Sequence, residues 1–331
     1  MDLRRAFRLP RPRRCRDGGE GLAGGPPAQL RGSAGDDGRA EPREGHRDHA
    51  RPARAGERPQ ALVRELRADD AGPQAPRLPR PGDATVTDAT ADVRILQLYP
   101  DELGVTGDAG NLDVLRTRLE RSGIPVTVET HRVGDELGAE PDLVVIGNGP
   151  LSALRRVHAD AVAHREALAA WASRTPFFAV GAGLELLCTR IEDPSGGLDG
   201  LAIVSAVAHR GRPRRVGYAI AESNDGRITG FEDQATELTG VETPFATIVR
   251  DVTGAVSRPD GIRTETVTGT LLQGPLLPLN PVLADRLAAS AAEHAGMRYV
   301  PAASLKEFDT LADHATDLMR SHVASVFTTI Q

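Results

Sequence analysis

Aromatic residues and lysine are the two kinds of residue that this 331-residue chain has least of. Phe, Trp and Tyr together make up 3% of the sequence, and Lys306 is its single lysine. Arginine therefore supplies nearly all of the positive charge, which is typical of high-GC codon usage and does not by itself indicate phosphate binding. Because few rings are present to stack on bases and the formal net charge is −6, the composition argues against nucleic acid as a partner.

Long apolar runs are absent as well, and cysteines are few. No stretch of about 18 apolar residues occurs, so the sequence predicts no membrane-spanning helix. The two cysteines, Cys15 and Cys188, lie in very different sequence contexts and form no disulfide framework. Both observations fit the reducing cytoplasm, and we expect the protein to be located there.

The first 92 residues differ in composition from the rest of the chain. They are crowded with Arg, Gly, Pro and Ala, and Phe7 is their single aromatic residue. Such a segment cannot bury enough apolar surface to offset its ordering entropy, so we expect it to be disordered. A translation start assigned too far upstream, with Val86 or a nearby codon as the true start, would also explain it. Arg4 and Arg5 resemble a twin-arginine signal, but no apolar region follows them.

Strands and helices alternate over the next hundred residues. The apolar pattern predicts strands at Arg94–Tyr99, Val126–Thr130, Asp142–Ile146 and Pro176–Val180, with helices at Asp108–Arg121 and Arg156–Ser173. This alternation indicates a mostly parallel sheet covered on both faces, and therefore a single-domain α/β sandwich.

Beyond residue 190 the predicted pattern becomes β-rich and then helical again. Strands are predicted at Leu201–Val207, Arg215–Glu222, Ala246–Arg250 and Thr264–Leu272, and helices at Pro281–Ala295 and Asp309–Val323. We expect one domain over residues 93–300, followed by a helical extension over residues 301–331.

One segment has the form of a nucleophile elbow. Pro176–Leu187 reads P-F-F-A-V-G-A-G-L-E-L-L, an apolar strand that enters a turn of small residues and then a helix. This arrangement presents a nucleophile in many α/β hydrolases. The apex of this elbow is Gly181, which has no side chain. A second segment, Gly269–Pro281, would be expected to supply an imidazole, and Gln273 stands at that position.

Six segments occur in an order that is found in one protein family. They are G-D-A-G-N at Gly107–Asn111, G-N-G at Gly147–Gly149, the elbow, R-R-V-G at Arg214–Gly217, G-F-E-D-Q at Gly230–Gln234 and G-T-L-L-Q-G-P at Gly269–Pro275. Together they resemble the CobB/CobQ-type glutamine amidotransferases, a class I-like group. Within that group the chain is most similar to the GatD-type glutaminase subunits of lipid II isoglutaminyl synthase.

The resemblance covers about residues 93 to 300 and implies a class I glutamine amidotransferase-like fold. In the family, an elbow Cys attacks the side-chain amide of glutamine, and a His takes the thiol proton and later protonates the leaving ammonia. The resemblance also implies a heterodimer, in which ammonia passes to a MurT-like subunit of the Mur-ligase family for amidation of peptidoglycan precursors. No cofactor and no metal ion are expected.

The resemblance further assigns substrate-binding positions. Backbone N–H groups at Gly147, Gly149 and Ala182 would stabilise the oxyanion. Arg215 matches the arginine that holds the carboxylate of the substrate, a task for which a bidentate guanidinium is suited. Gln234 lies where the family usually has His.

The chain departs from the family pattern where the chemistry is done. Gly181 stands at the position of the nucleophile and Gln273 at the position of the base, so no catalytic residue is intact. After the G-N-G segment the family has Gln-Asp, and this chain has Pro150 and Leu151 there. Four changes around one site indicate relaxed selection, and we expect a pseudoenzyme that has lost glutaminase chemistry.

Two alternatives stay open. The first is an active amidotransferase with an unrecognised nucleophile, for which Cys188 and Ser152 are the nearest candidates. Cys188 reads more readily as a small buried hydrophobic residue, and Ser152 as a turn or cap residue. The second is a non-catalytic glutamine-sensing or scaffolding module. His209 lies among the arginines at 210, 212, 214 and 215, which read as a solvated basic stretch without metal-ligand spacing.

Overall fold

A computed structural model describes residues 92–323 of the chain, except for the side chain at position 212. The predicted disordered tail up to residue 91, the alternative start at Val86 and Cys15 lie outside the described residues. So do the last residues of the predicted helical extension.

Twelve strands, seven α-helices and one short 3₁₀-helix (Ala303–Leu305) follow one another in the described part of the chain. The strands and α-helices are β1 (Val93–Leu98), α1 (Asp108–Arg121), β2 (Val126–His131), β3 (Leu143–Ile146), α2 (Leu151–Ala163), α3 (Arg165–Ala172), β4 (Phe177–Val180), α4 (Ala182–Leu187), β5 (Arg190–Glu192), β6 (Leu198–Asp199), β7 (Val207–Ser223), β8 (Gly226–Thr239), β9 (Ala246–Asp251), β10 (Gly254–Asp260), β11 (Ile262–Arg263), β12 (Val267–Thr270), α5 (Leu276–Leu279), α6 (Pro281–His294) and α7 (Lys306–Ser321). No described helix is long and apolar enough to cross a bilayer.

The first sheet has the strand order β11-β12-β4-β3-β1-β2. All of its pairings are parallel except that of the short edge strand β11 with β12. Strands β3 and β4 are buried at every position, as expected for central strands covered on both faces. The predicted α/β sandwich with a mostly parallel sheet is confirmed.

Neighbouring residues of one strand face opposite sides of this sheet and enter two separate cores. Val144 and Ile146 pack with Leu154 of α2 in one cluster. Leu143 and Val145 enter the other, which also contains apolar residues of α1, α6 and the second sheet. Full burial of such a side chain stabilises the fold by about 1.5–3 kcal/mol.

The second sheet has the order β10-β9-β7-β5-β6, and β8 pairs with β7 beside this path. Only the pairing of β5 with β7 is parallel. The long β7–β8 hairpin turns at an N-D-G sequence, in which Gly226 has a φ of +90°. The register between β7 and β8 shifts between Arg210 and Arg215. This shift changes which arginines of β7 face each side of the hairpin.

Two predicted elements are wrong in detail. The segment predicted as a strand at Leu201–Val207 is irregular up to its last residue, where β7 begins. Its backbone instead caps α4: the N–H of Leu201 donates to Leu186 O at 2.8 Å, and the N–H of Val204 donates to Leu187 O at 3.0 Å. The helix predicted at 156–173 is two helices, because His164 leaves the helical conformation between α2 and α3.

Helix α7 is held to the rest of the fold by a buried arginine. The Arg118 side chain of α1 is 5% exposed. Its guanidinium binds both carboxylate oxygens of Asp285 on α6, at 2.6 and 2.8 Å, and Asp309 of α7 at 2.8 Å. One side chain therefore connects three helices.

Candidate functional site

The candidate site lies at the carboxyl ends of the parallel strands of the first sheet, where such sheets usually bind ligands. Asn148 follows β3, Gly181 follows β4, and Gln273 follows β12. The N–H of Gly181 donates to Thr270 O at 2.8 Å, which fixes the elbow beside the end of β12. Gln273 pairs with Phe231 of β8, so the site also joins the two sheets.

The predicted strand–elbow–helix is present. Gly181 has φ +54° and ψ −117°, a conformation that glycine adopts readily and other residues do not. Its carbonyl accepts the N–H of Glu185 at 3.0 Å and so starts helix α4. The elbow has kept the backbone geometry of a nucleophile turn although its apex carries no nucleophile.

The side chain of Asn148 occupies the space beside the apex. A Cβ added at Gly181 would lie within 3.0 Å of Asn148 Oδ1, closer than real Cβ contacts. The same oxygen accepts the N–H of Ala182 at 2.8 Å. The amide expected to stabilise an oxyanion is thus already bonded within the protein.

The two glycines on either side of Asn148 are required by packing. A Cβ at Gly147 would collide with the backbone of Leu103 and with Asp108, and one at Gly149 would also meet backbone. The carboxylate of Asp108 accepts the N–H of Asn148 at 3.1 Å. Burial raises the pKa of Asp108, although hydrogen bonds such as this one oppose the rise. A further backbone N–H of the loop is therefore also bonded internally.

A cavity of about 800 Å³ opens next to this loop. Its walls come from the G-N-G loop, the start of α2, the β5–β6 connection and the β7–β8 hairpin. The charged residues in its wall are Glu185, Asp193, Arg210, Arg214 and Asp233. Among the described residues that line it, none is a cysteine or a histidine.

The two glutamines at the former histidine positions both line this cavity. Gln273 Nε2 donates to the carbonyl of Asp233 at 3.1 Å. Its Oε1 is buried and has no hydrogen-bond partner among the described residues. Gln234 is bonded along its own strand: its Oε1 accepts the N–H of Thr236 at 2.8 Å, and its Nε2 donates to Glu232 at 3.3 Å.

Arg215 lies outside the large cavity. It lines a neighbouring cavity of about 200 Å³ together with Arg258 and Asp260. Its guanidinium contacts Glu232 at 3.5 Å and Glu237 at 3.2 Å. The predicted carboxylate-binding arginine is therefore separated from the loop glycines and Gln273, although Gln234 lines both cavities.

Two other arginines face the large cavity in its place. Adjacent residues of a strand point to opposite faces, so Arg214 faces the side opposite to Arg215. Arg210 donates to the buried carboxylate of Glu185 at 2.5 Å, and its side chain is 17% exposed. The interpretation of this stretch as solvated is therefore wrong for Arg210. In the sequence, the arginines at alternate positions were the signal for these two cavity residues. The register shift, which decides the side that each arginine faces, could not be read from the sequence.

The candidate substitute nucleophiles lie away from the cavity or lack a base. Cys188 is buried, and its thiol donates to Leu184 O at 3.4 Å. Burial raises the pKa of Cys188 to about 12. Ser152 is an exposed residue of α2 that does not line the cavity. Ser195 does line it, but its hydroxyl donates to the carboxylate of Asp193 at 2.5 Å.

His209, the histidine nearest to the retained motifs, lies on the surface. Its two ring nitrogens contact Glu192 at 2.9 Å and Thr239 at 2.7 Å. These contacts account for both nitrogens, and the residue does not line the large cavity. It therefore supplies no base to the elbow.

The sequence of this chain is similar to those of known proteins. Residues 94–280 match the model of the CobB/CobQ-like glutamine amidotransferase domain family. The GatD subunit of lipid II isoglutaminyl synthase (glutamine-hydrolyzing) from Staphylococcus aureus strain N315 is 27% identical over 233 residues, which cover 67% of this chain and 92% of the relative.

Two solved structures are also similar in part. A structure described as a glutamine amidotransferase has a TM-score of 0.40 and 17% identity, over 61% of this chain and 99% of that one. The glutaminase domain of Trypanosoma brucei CTPS with bound acivicin has a TM-score of 0.43 and 12% identity, over 63% of this chain and 96% of that one.

Proposed function

The chain belongs to the CobB/CobQ-like glutamine amidotransferase family, and from this membership we propose that it is a GatD-like subunit that has lost glutaminase chemistry. The proposed domain spans residues 93–300, with a helical extension over 301–331. We further propose that the protein is located in the cytoplasm and binds a MurT-like partner of the Mur-ligase family, in a complex that amidates peptidoglycan precursors.

The structure of the elbow is the main support for the proposed loss of glutaminase activity. A glycine at its apex can form no thioester, and the loss of such a nucleophile removes many orders of magnitude of rate. The Asn148 side chain fills the space beside Gly181 and accepts the N–H of Ala182. The nucleophile and an oxyanion donor are thus lost together.

The position of the base supports the same conclusion. Gln273 does not titrate near neutral pH and cannot take a proton from a nucleophile. Its amide nitrogen is bonded to the carbonyl of Asp233 at 3.1 Å. No cysteine or histidine occurs among the described residues of the cavity wall, so neither a thiol nor an imidazole is available there to replace the missing pair.

The partner is proposed from the relative. The Staphylococcus aureus protein is a subunit of a synthase, and a GatD-like chain without its own chemistry would retain docking as its role. In such a complex, free ammonia would have to enter from solution, since glutamine would not be hydrolysed.

Two measurements test this proposal. The purified full chain should release no ammonia from glutamine above the buffer blank, and a complex with a Mur-ligase-like subunit should amidate its acceptor with ammonium but not with glutamine. Ammonia release that is abolished by Ser195→Ala or Cys188→Ala would establish the active alternative and overturn the proposal. Failure to form any complex would remove the partner but not the loss of activity.

A second candidate function, a glutamine-sensing module, is favoured by one observation. Gln273 lines an 800 Å³ cavity, and its buried Oε1 lacks a hydrogen-bond partner among the described residues. An unbonded buried acceptor is costly, and a rotation of the side chain that turned Oε1 into the cavity would let a ligand N–H donor satisfy it. Titration calorimetry with glutamine, on the wild type and on Gln273→Leu, tests this function. Binding that is weakened by the substitution, without turnover, would favour sensing.

A further inference from the structure

Three metal-ligating side chains meet at the edge of the first sheet, away from the residues that line the large cavity. His131 ends β2, Asp160 lies on α2, and His164 separates α2 from α3. One ligand atom from each of these residues lies within 4.8 Å of the others. None of the three lines the 800 Å³ cavity.

The carboxylate stands between the two imidazoles. Asp160 Oδ2 lies 2.9 Å from His131 Nε2 and 4.0 Å from His164 Nε2. Ligand atoms about 2.0–2.2 Å from a tetrahedral zinc ion stand roughly 3.3–3.6 Å apart. The 2.9 Å contact is a hydrogen bond that an ion would replace, and all three atoms lie within 4.8 Å of one another, so small side-chain movements would bring them onto one ion.

Neighbouring groups fix the carboxylate in this orientation. The hydroxyl of Tyr99 donates to Asp160 Oδ2 at 2.8 Å, and the N–H of Gly134 donates to Oδ1 at 2.7 Å. Outer hydrogen bonds of this kind orient metal ligands and tune their affinity. The rings of Tyr99 and His131 also pack edge to face, with centroids 5.3 Å apart, as do those of His131 and His164 at 5.0 Å.

The backbone at Tyr99, whose hydroxyl contacts Asp160, has an unfavourable conformation. Tyr99 has a φ of +53°, which costs a non-glycine residue about 1–2 kcal/mol. Its N–H donates to His131 O at 2.8 Å, and its carbonyl accepts the N–H of Leu103 at 2.7 Å. A strained residue retained in a buried polar cluster points to a function for that cluster.

We propose that His131, Asp160 and His164 bind one divalent transition-metal ion of the zinc class. Two imidazoles and a carboxylate form a donor set that zinc accepts, and imidazole nitrogens favour such ions over magnesium or calcium. The side chain of His131 is 2% exposed and that of His164 is 20% exposed. The partly open His164 side provides an entry path and leaves a fourth coordination position for water.

The signal for these three ligands is only partly local in the sequence. Asp160 lies in the last turn of α2 and His164, four residues later, caps that helix, whereas His131 is 29 residues before Asp160. Sheet topology brings the third ligand to the helix, so no short ligand motif exists. This proposal does not depend on the function proposed for the large cavity.

The test uses the full chain, free of a histidine tag and stripped of metal by a chelator. Zn²⁺ titration by calorimetry should give one ion per chain with a Kd of about 1 μM or tighter. Zn²⁺ should raise the thermal midpoint, because an ion that binds only the folded state stabilises it. Co²⁺ in its place should give the visible absorption bands of a tetrahedral site.

His164→Gln is the main variant, since its partly exposed side chain can be replaced without disturbing the core. It should weaken Zn²⁺ binding by about a hundredfold or more and abolish the Co²⁺ bands. The matched control is His294→Gln, which also removes a histidine 2.9 Å from a carboxylate, that of Asp142. This control should bind Zn²⁺ as the wild type does.

A third variant distinguishes a weakened metal site from a folding defect. Tyr99→Phe leaves all three ligands in place and removes one outer hydrogen bond, so it should weaken binding by about ten- to a hundredfold without abolishing it. Equal Zn²⁺ affinity in the wild type and His164→Gln would overturn the proposal. Equal losses in His164→Gln and His294→Gln would do so too.

Discussion

The side-chain oxygen of Asn148 stands where a side chain at Gly181 would project. It accepts the N–H of Ala182 at 2.8 Å, so one side chain both fills the place of a nucleophile and bonds an amide that an oxyanion would need. The two positions are therefore coupled: the asparagine fits because the apex is glycine. Restoring a cysteine alone would not restore the geometry of an active elbow.

The first prediction is that Gly181→Cys lowers stability. The variant must place a side chain at φ +54°, which costs about 1–3 kcal/mol, and must also displace Asn148. Urea denaturation should show a lower free energy of unfolding than in the wild type. A midpoint that stays the same or rises would refute the idea that glycine relieves strain here.

A double variant separates the two causes. In Gly181→Cys with Asn148→Gly, the collision is gone while the backbone strain remains. The double variant should be more stable than the sum of the single effects by at least about 0.5 kcal/mol, as expected for residues in contact. Additive effects would show that the Asn148 side chain does not crowd position 181.

The second prediction concerns thiol reactivity. Burial raises the pKa of Cys188 to about 12, so very little thiolate exists at pH 8 and the thiol has no path to solvent. In a Cys15→Ser background, a colorimetric disulfide reagent should react with Cys188 slowly in the native protein and rapidly in urea. Fast reaction of the native protein would reopen Cys188 as a nucleophile.

Helix α1 and the central strands were predictable because their buried residues follow a regular apolar pattern in the sequence. Helix α1 was predicted at its observed bounds from leucines at helical spacing, and Gly123, with a φ of +81°, follows its end. Strands β3 and β4 were predicted within one residue at each end, because strands covered on both faces read as continuous apolar runs.

The rest depended on contacts that the sequence does not encode locally. Strand β8 was missed because its buried positions include the polar residues Glu232, Gln234 and Thr236, so no apolar alternation marks its second half. Arg215 was placed with the loop glycines, but the register shift in β7 gives that side of the hairpin to Arg210 and Arg214. The role of Asn148 follows from its position opposite Gly181, 33 residues later in the chain, and no local pattern indicates it.

The third prediction is a pH dependence caused by Asp260. Burial is the main cause that raises the pKa of this carboxyl group to about 6, and the nearby carboxylate of Glu232 contributes to the rise. The hydroxyl of Thr270, the N–H of Leu271 and the charge of Arg258 oppose the rise. The folded protein therefore holds a proton between about pH 4 and pH 6 that the unfolded chain has lost.

The sign follows from this difference. Stability should fall as the pH rises from about 4 to about 6 through this group, by at most about 3 kcal/mol. Asp260→Asn cannot ionise, so its free energy of unfolding relative to the wild type should improve over that interval. Asp251→Asn is the control: although burial opposes the change, hydrogen bonds from Thr253 and Arg258 lower the pKa of Asp251 overall. Its contribution to stability is therefore lost only as the pH falls below about 4, and the relative stability of Asp251→Asn should change little between about pH 4 and pH 6. A relative stability of Asp260→Asn that does not change with pH would contradict the prediction.

The fourth prediction is that Arg118 anchors the C-terminal helix. Arg118→Ala leaves the carboxylates of Asp285 and Asp309 without their shared cation. Breaking a fully buried pair costs about 3–5 kcal/mol. These carboxylates are 28% and 36% exposed and Tyr299 still donates to Asp285, so a loss of about 1–3 kcal/mol is expected. Arg116→Ala is the matched control on the same helix, because its pair with Asp113 is exposed and should contribute at most about 0.5 kcal/mol. Hydrogen exchange should show loss of protection in α7 before the central strands. If both variants unfold at the same urea concentration, the buried ion network does not hold α7.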